Sequence, residues 1–242
     1  MDLPQVHALN CLKLLFTDSR LSSASQELLG RGLELAVGCF ASEVWAVRNC
    51  GIMLFTALSN RLFGKKMTGK VGVEEFLDRY PGVAGVLLGS LPIEGDGSVE
   101  RVYPALSLIA RLEFTEGFDA SVIEPAVVRC LSSRVWKVRE MAARSYSTLI
   151  GPTQVAGVVD QLLSDAVESG KQNVVHGKLC AVGALLERRG VHERGRIWGS
   201  FCRAWKALVE ANNCAVTKSL FLSLVLDYGV AQGLFVGSSD GM

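Results

Sequence analysis

Residues 39–58, CFASEVWAVRNCGIMLFTAL, and residues 130–149, CLSSRVWKVREMAARSYSTL, are two versions of one segment. Seven of the twenty positions are identical, among them Trp-x-Val-Arg, and the copies are offset by 91 residues. A repeated segment of this kind cannot bury its apolar face alone, so it commits the chain to stacking like units on one another. The period inside the first copy is helical. Val44, Val47, Leu54, Phe55, Leu58 and Leu62 recur at spacings of three, four and seven, one face of a helix. Ser42 is placed to cap that helix at its start and Gly64 to stop it.

The same period runs through most of the remaining chain. Helices are expected in VHALNCLKLLF, SASQELLGRGLELAVGCF, VEEFLDRY, PGVAGVLLGSL, YPALSLIARLEF, QNVVHGKLCAVGALLER, RIWGSFCRAWKALVEA and CAVTKSLFLSLVLDYG. Pro81 and Pro104 are expected at first helical positions, and Gly151-Pro152 marks a stop and restart between two helices. No segment alternates as a half-buried strand does. The hydrophobic fraction is 49% while the aromatic fraction is 7%, which suits an aliphatic helical core better than a β-sandwich. An offset of 91 is two units of about 45 residues, the range of HEAT and armadillo repeats, and the shared W-x-V-R before an aliphatic helix resembles the second helix of a HEAT repeat. The expected fold is therefore all-α, an α-solenoid of HEAT/armadillo-like repeats forming a single array over 1–242, with loops near 64–72 and 92–100.

Charge narrows the function. The chain carries 25 Lys+Arg against 24 Asp+Glu, a net +1, so nucleic-acid contact has to be local rather than global. The longest charge-free runs, Tyr80 to Ile93 and Ser145 to Val159, are too short to span a bilayer and contain Pro and Gly. MDLPQVHALN lacks the basic and apolar regions of a signal peptide, so a cytoplasmic location is expected. Cys11, Cys39, Cys50, Cys130, Cys180, Cys202 and Cys214 form no C-x-x-C pair and read as small buried apolar residues rather than zinc ligands. Neither a metal nor a membrane is an expected partner.

The phosphate-cradling, zinc-protease and nucleophile-elbow motifs are missing. His7 and His176 lie in apolar helical segments and His192 in a charged loop, positions that favour structure over general-base work. Glu74, Glu75, Glu113 and Glu116 read as helix-end and loop electrostatics. No catalytic residue and no cofactor is assigned to the chain. Trp45, Val47, Arg48 and Asn49, with Trp136, Val138 and Arg139, and His176 downstream, are instead assigned to the repeat architecture. Arg48 and Arg139 are expected to bond between repeats, because stacked layers must satisfy their buried polar groups, and Trp45 and Trp136 are expected to be packing anchors.

Longer stretches carry a family resemblance. VHALNCLKLLFTDSRL, SEVWAVRNCGIMLFTALSNRLFG, FLDRYPGV, YPALSLIARL, WKVREMAAR and NVVHGKL occur in the order found in the thyroid adenoma-associated protein family. That family includes the fungal regulatory subunit of a tRNA ribose 2′-O-methyltransferase, and the match runs from about His7 to Leu186. The resemblance implies a HEAT/armadillo-like, non-catalytic partner of an FtsJ-like methyltransferase acting at position 32, the first nucleotide of the tRNA anticodon loop. S-adenosylmethionine would belong to that enzyme. The family's Arg-Arg-Ser-Ala-Gly type stretch ahead of the VHALN helix has no counterpart here, so the chain is expected to be a fragment of a longer member. Its mean hydropathy of +0.30 fits a short array with uncovered apolar faces, expected to self-associate or require a partner.

For tRNA or enzyme contact the expected residues are two basic clusters, Arg61, Lys65, Lys66 and Lys70, and Arg188, Arg189, Arg194 and Arg196. The alternative is a helical-repeat scaffold that grips proteins and never meets RNA.

Overall fold

Helix placement follows burial more closely than it follows local start and stop signals. The computed structural model describes residues 4–21, 23–63, 71–92, 98–189 and 194–231. Twelve α-helices lie among them: α1 Pro4–Thr17, α2 Leu29–Cys39, α3 Trp45–Phe63, α4 Val73–Arg79, α5 Pro81–Ser90, α6 Val99–Ile109, α7 Glu124–Cys130, α8 Trp136–Leu149, α9 Val155–Glu168, α10 Gln172–Arg189, α11 Arg194–Trp205 and α12 Ala215–Ala231. Among the described residues there is no strand, and the pairing of Gly72 with Glu113 is an isolated bridge.

The chain divides into two units, Met1–Ala126 and Val127–Met242, and each holds one copy of the repeat. In the first unit, α3 packs on α1 and α2, and α2 also packs on α5 and α6. The buried face of α3 is Val47, Cys50, Gly51, Leu54, Leu58 and Phe63, with Leu54 and Leu58 fully enclosed. Burial of each such leucine stabilises the unit by roughly 2 kcal/mol. The expected face is thus right in its middle and wrong at its start, where Val44 is 43% exposed. A small residue is required at Gly51, since a Cβ there would lie 2.6 Å from the Cys39 Cβ as α2 crosses α3.

Pro81 opens α5 as expected. Pro104 does not open α6. That helix begins at Val99, and Pro104 sits inside it. A proline there forfeits one backbone hydrogen bond, but Val102, Ala105, Leu106, Leu108 and Ile109 of α6 are all buried, and their combined burial outweighs the loss.

In the second unit α10 packs on α8, α9 and α12, while α9 packs on α11. Helices α8, α10 and α12 are therefore successive neighbours in one layer, and α9 and α11 in the other. This is the arrangement of stacked helix pairs, and the fold class is all-α helical repeat, the α-solenoid type. The turn around Gly151 and Pro152 separates α8 from α9, with Gln154 Oε1 accepting the Gly151 N–H at 3.0 Å. Phe201, Phe221 and Tyr228 form an aromatic knot between α11 and α12, with ring centroids 5.6 and 5.8 Å apart. The end of α11 widens into a π-turn over Lys206–Glu210, where the Ala211 N–H reaches the Lys206 carbonyl at 2.9 Å.

The cysteines are less uniform than their residue type suggests. Cys39, Cys50 and Cys130 are buried, Cys180 and Cys214 are half-buried, and Cys11 and Cys202 are exposed. His7 is also exposed, on the outer side of α1, and His192 lies outside the described residues.

A candidate partner surface at the repeated turns

Both copies of the repeat build the same turn. In the first, Ser42 Oγ accepts the Val44 N–H at 3.2 Å, the Val44 carbonyl starts α3, and Arg48 reaches back to close the turn. Its Nη1 donates to the carbonyls of Ser42 at 2.7 Å and Glu43 at 3.0 Å. In the second, Ser133 Oγ accepts the Val135 N–H at 3.2 Å, and Arg139 Nη1 donates to the carbonyls of Ser133 at 2.6 Å and Arg134 at 3.2 Å. The arginine thus satisfies main-chain acceptors of the turn ahead of the helix, which have no partner in the helix itself. Ser42 caps not the helix but the turn two residues ahead of it, and Val44 takes the position at the helix start. Gly64, the expected stop, lies outside the described residues.

The copies differ in what lies behind the arginine. Arg139 is 7% exposed and also bonds to the next helix of its layer, α10, through Asn173 Oδ1 at 3.1 Å and His176 Nδ1 at 3.2 Å. This is the bond between repeats that the sequence leads one to expect. Arg48 is half-buried, and both of its bonds described above stay within its own turn. Glu100 of α6 feels its charge as a minor effect: the Ser98 hydroxyl, 2.7 Å away, is the first reason that carboxyl ionises below its ordinary range.

Because a guanidinium N–H can only donate, His176 Nδ1 must present a lone pair, so the ring proton sits on Nε2. Burial first, and the Arg139 charge second, hold the imidazole below its ordinary pKa. Cys180, whose sulfur lies 3.4 Å from the same nitrogen, has its thiol pushed up by burial to about 11, so it is an inert structural thiol.

One layer further on, the α10–α12 neighbours are joined by a triangle absent from the sequence expectations. Gln172 Nε2 donates to Asn212 Oδ1 at 3.2 Å, Asn212 Nδ2 donates to Thr217 Oγ1 at 2.7 Å, and Thr217 Oγ1 lies 2.8 Å from Gln172 Oε1. Arg139 and this triangle together tie α8, α10 and α12 at their N-terminal ends.

The tryptophans are not packing anchors. Trp45 is 69% exposed and Trp136 52% exposed, each at the first position of its helix, while Val47 and Val138 two residues on are buried. Residues two apart in a helix point about 200° apart, which puts the valine inward and leaves the indole outward. Asn49 is exposed beside Trp45, and Lys137 Nζ lies 5.8 Å over the Trp136 ring.

The basic clusters are engaged at several of their members. Arg61 Nη2 donates to the Asp18 carbonyl at 2.7 Å and ties the end of α3 to the corner after α1. Arg188 is half-buried on α10, and Arg196 on α11 lies near Asp160, which Ser200 and Arg203 hold at 2.7 and 2.5 Å. Lys65, Lys66 and Lys70, and the side chains of Arg189 and Arg194, lie outside the described residues. A further surface is an apolar cleft of about 480 Å³ between α11 and α12, lined by Trp198, Phe201, Trp205, Leu222, Val225 and Leu226. Among the described residues no helix is long and apolar enough to cross a membrane.

Comparison with known proteins supplies the context. A family model described as "Trm732, C-terminal TPR repeats" matches residues 48–185, and one described as "THADA/TRM732, DUF2428" matches residues 1–46. The chain is 35% identical to the tRNA (32-2'-O)-methyltransferase regulator trm732 of Schizosaccharomyces pombe over 208 residues, 76% of this chain and 14% of that protein. It is 30% identical to the tRNA (32-2'-O)-methyltransferase regulator THADA of Homo sapiens over 263 residues, 92% of this chain and 13% of that protein. With the Gallus gallus THADA the identity is 29% over 93% of this chain and 14% of the relative. The chain thus spans about one seventh of the length of these relatives. No solved structure matches. With a helical-repeat family model covering more than half of its length and 35% identity to trm732 over 76% of it, the chain belongs to the Trm732/THADA family.

Proposed function

We propose that this chain is part of a non-catalytic, cytoplasmic regulatory subunit that partners an FtsJ-like tRNA 2′-O-methyltransferase for ribose methylation at position 32 of the anticodon loop. The observation that supports the reading is 35% identity, over three quarters of the chain, to a protein named as a tRNA (32-2'-O)-methyltransferase regulator. On this reading the enzyme brings S-adenosylmethionine and the reacting groups, and the helical repeats hold enzyme and tRNA in register, a contribution of positioning. The clusters Arg61, Lys65, Lys66, Lys70 and Arg188, Arg189, Arg194, Arg196 are proposed phosphate contacts, which fix register without reading bases. Deleting the full-length gene and mapping ribose methylation in the anticodon loop tests it. Loss at position 32 is expected, and an intact methylation pattern refutes the assignment.

A second reading, a scaffold that grips proteins only, is favoured by the apolar cleft between α11 and α12, whose lining is aliphatic and aromatic apart from Cys202. Recovery of the full-length protein with an FtsJ-like enzyme on purification distinguishes the first reading from the second.

A further inference from the structure

The two turns are one scaffold with two electrostatic faces. From Ser42 to Arg48 and from Ser133 to Arg139, five of seven positions are identical; of the two that differ, one is exposed in both copies and the other is half-buried in the first and exposed in the second. Glu43 is replaced by Arg134, and Ala46 by Lys137. The first tryptophan therefore stands beside an acid and a methyl group, the second between two exposed cations, one of which lies over its ring. The corner that Arg139 bonds to adds Lys171, exposed and two residues ahead of Asn173. The acids closest in sequence are Glu140, half-buried one residue past the arginine, and Glu168, exposed at the end of α9.

We infer that the Trp136 turn is a contact site for single-stranded RNA, in which an unpaired base stacks on the Trp136 indole and backbone phosphates lie on Arg134, Lys137 and Lys171. Taking the polyanion to be RNA rests on the tRNA-linked reading above. The chemistry argues for it independently of the clusters already proposed. A solvent-open indole offers a π-face that any base can use, and flanking cations track the backbone without sequence preference. An acidic protein would use the cations but has no need of the ring. The turn is also rigid before binding. The Ser133 hydroxyl and the buried Arg139 fix its main chain, so little ordering entropy is lost on contact.

The Trp45 turn is the internal control, since its backbone bonds are equivalent and its charges are not. The test measures fluorescence anisotropy of a fluorescein-labelled, mixed-sequence single-stranded RNA of about twelve nucleotides with the full chain, across a salt series. Trp136→Ala is expected to weaken binding about tenfold, the loss of one stacked base, whereas Trp45→Ala leaves affinity within about twofold. The pair Arg134→Glu with Lys137→Ala transplants the first turn's residues onto the second. It is expected to lower affinity and to reduce the log–log salt slope by about 1.4, two phosphates of a single strand. Because the first turn already carries these residues in the same conformation, the double variant folds, which thermal melting by circular dichroism verifies.

Equal effects of Trp136→Ala and Trp45→Ala, an unmoved salt slope in the double variant, or no RNA binding by the unsubstituted chain would each overturn the inference. So would displacement of the RNA by poly-glutamate at matched charge, which would assign the patch to an acidic protein. Methylation mapping separates the two levels. Loss of position-32 methylation on gene deletion together with RNA affinity unmoved at Trp136 removes this site alone. Intact methylation with the expected loss at Trp136 removes the tRNA-methylation reading and leaves the RNA site standing.

Discussion

Arg139 concentrates the energetics of the second turn in one side chain. Replacing it with Met leaves the carbonyls of Ser133 and Arg134, Asn173 Oδ1 and His176 Nδ1 without that donor in a partly buried corner. The expected cost is about 3 kcal/mol, read as a lower denaturation midpoint. Arg48→Met removes only local bonds at a half-exposed site and is expected to cost about 1 kcal/mol. Equal losses would show that the α8–α10 bonds add nothing. His176 makes the same corner sensitive to acid. Its folded pKa lies below the ordinary value of about 6.5, so the unfolded chain takes up the proton first. The contribution of the neutral ring is complete above that value and is lost as pH falls from about 7 towards 5. His176→Asn keeps an acceptor where Nδ1 stood and cannot titrate. The variant is expected to lose less stability than the parent over that range, and parallel pH profiles would contradict this assignment.

At the scale of elements, the close approach of α10 to the turn before α8 depends on Gly177, where a Cβ would overlap the Leu131 carbonyl. Main chain cannot swing aside as a flexible side chain can. Gly177→Ala is therefore expected to destabilise by about 3 kcal/mol despite alanine's better helix propensity, measured by urea denaturation. Much of this element level was legible in the sequence. The Trp-x-Val-Arg repeat located two equivalent helix starts, Pro81 opened its helix, and Gly151-Pro152 separated two others, because each signal acts through neighbouring residues. What escaped the sequence depends on distant partners. The early start of α6 comes from packing that overrides Pro104, and Gly177 has meaning only against Leu131. In the triangle, Gln172 meets Asn212 and Thr217 from 40 and 45 residues away. In the site itself, the motif pointed to arginines bonding between repeats, whereas both arginines close their own turns and only Arg139 is seen bonded to the next helix as well. The outward stance of Trp45 and Trp136 was not legible, because residue type alone argues for burial.

For the whole molecule, apolar surface remains uncovered among the described residues. Leu226 is 55% and Val230 67% exposed on α12, alongside the cleft that Trp198 and Trp205 line. Patches of this kind associate. The isolated chain is expected to form dimers or larger species at micromolar concentration in size-exclusion chromatography with light scattering. Leu226→Glu is expected to shift the population towards monomer, and a monodisperse monomer of the unsubstituted chain would contradict both expectations. On the proposed reading, such surface is where neighbouring protein seats, while the charged Trp136 turn serves a different class of partner. The π-turn that ends α11 has a consequence of its own. Between Lys206 and Glu210 the helix holds one residue beyond what its hydrogen-bond ladder needs. Excising a single residue there lets the ladder close as ordinary α-helix, with Phe201 upstream and its ring partners Phe221 and Tyr228 in α12 downstream keeping their rotational phase. The same excision in the middle of α10 would turn everything after it by about 100°. Among the described helices, tolerance to losing one residue is expected to be concentrated at this turn.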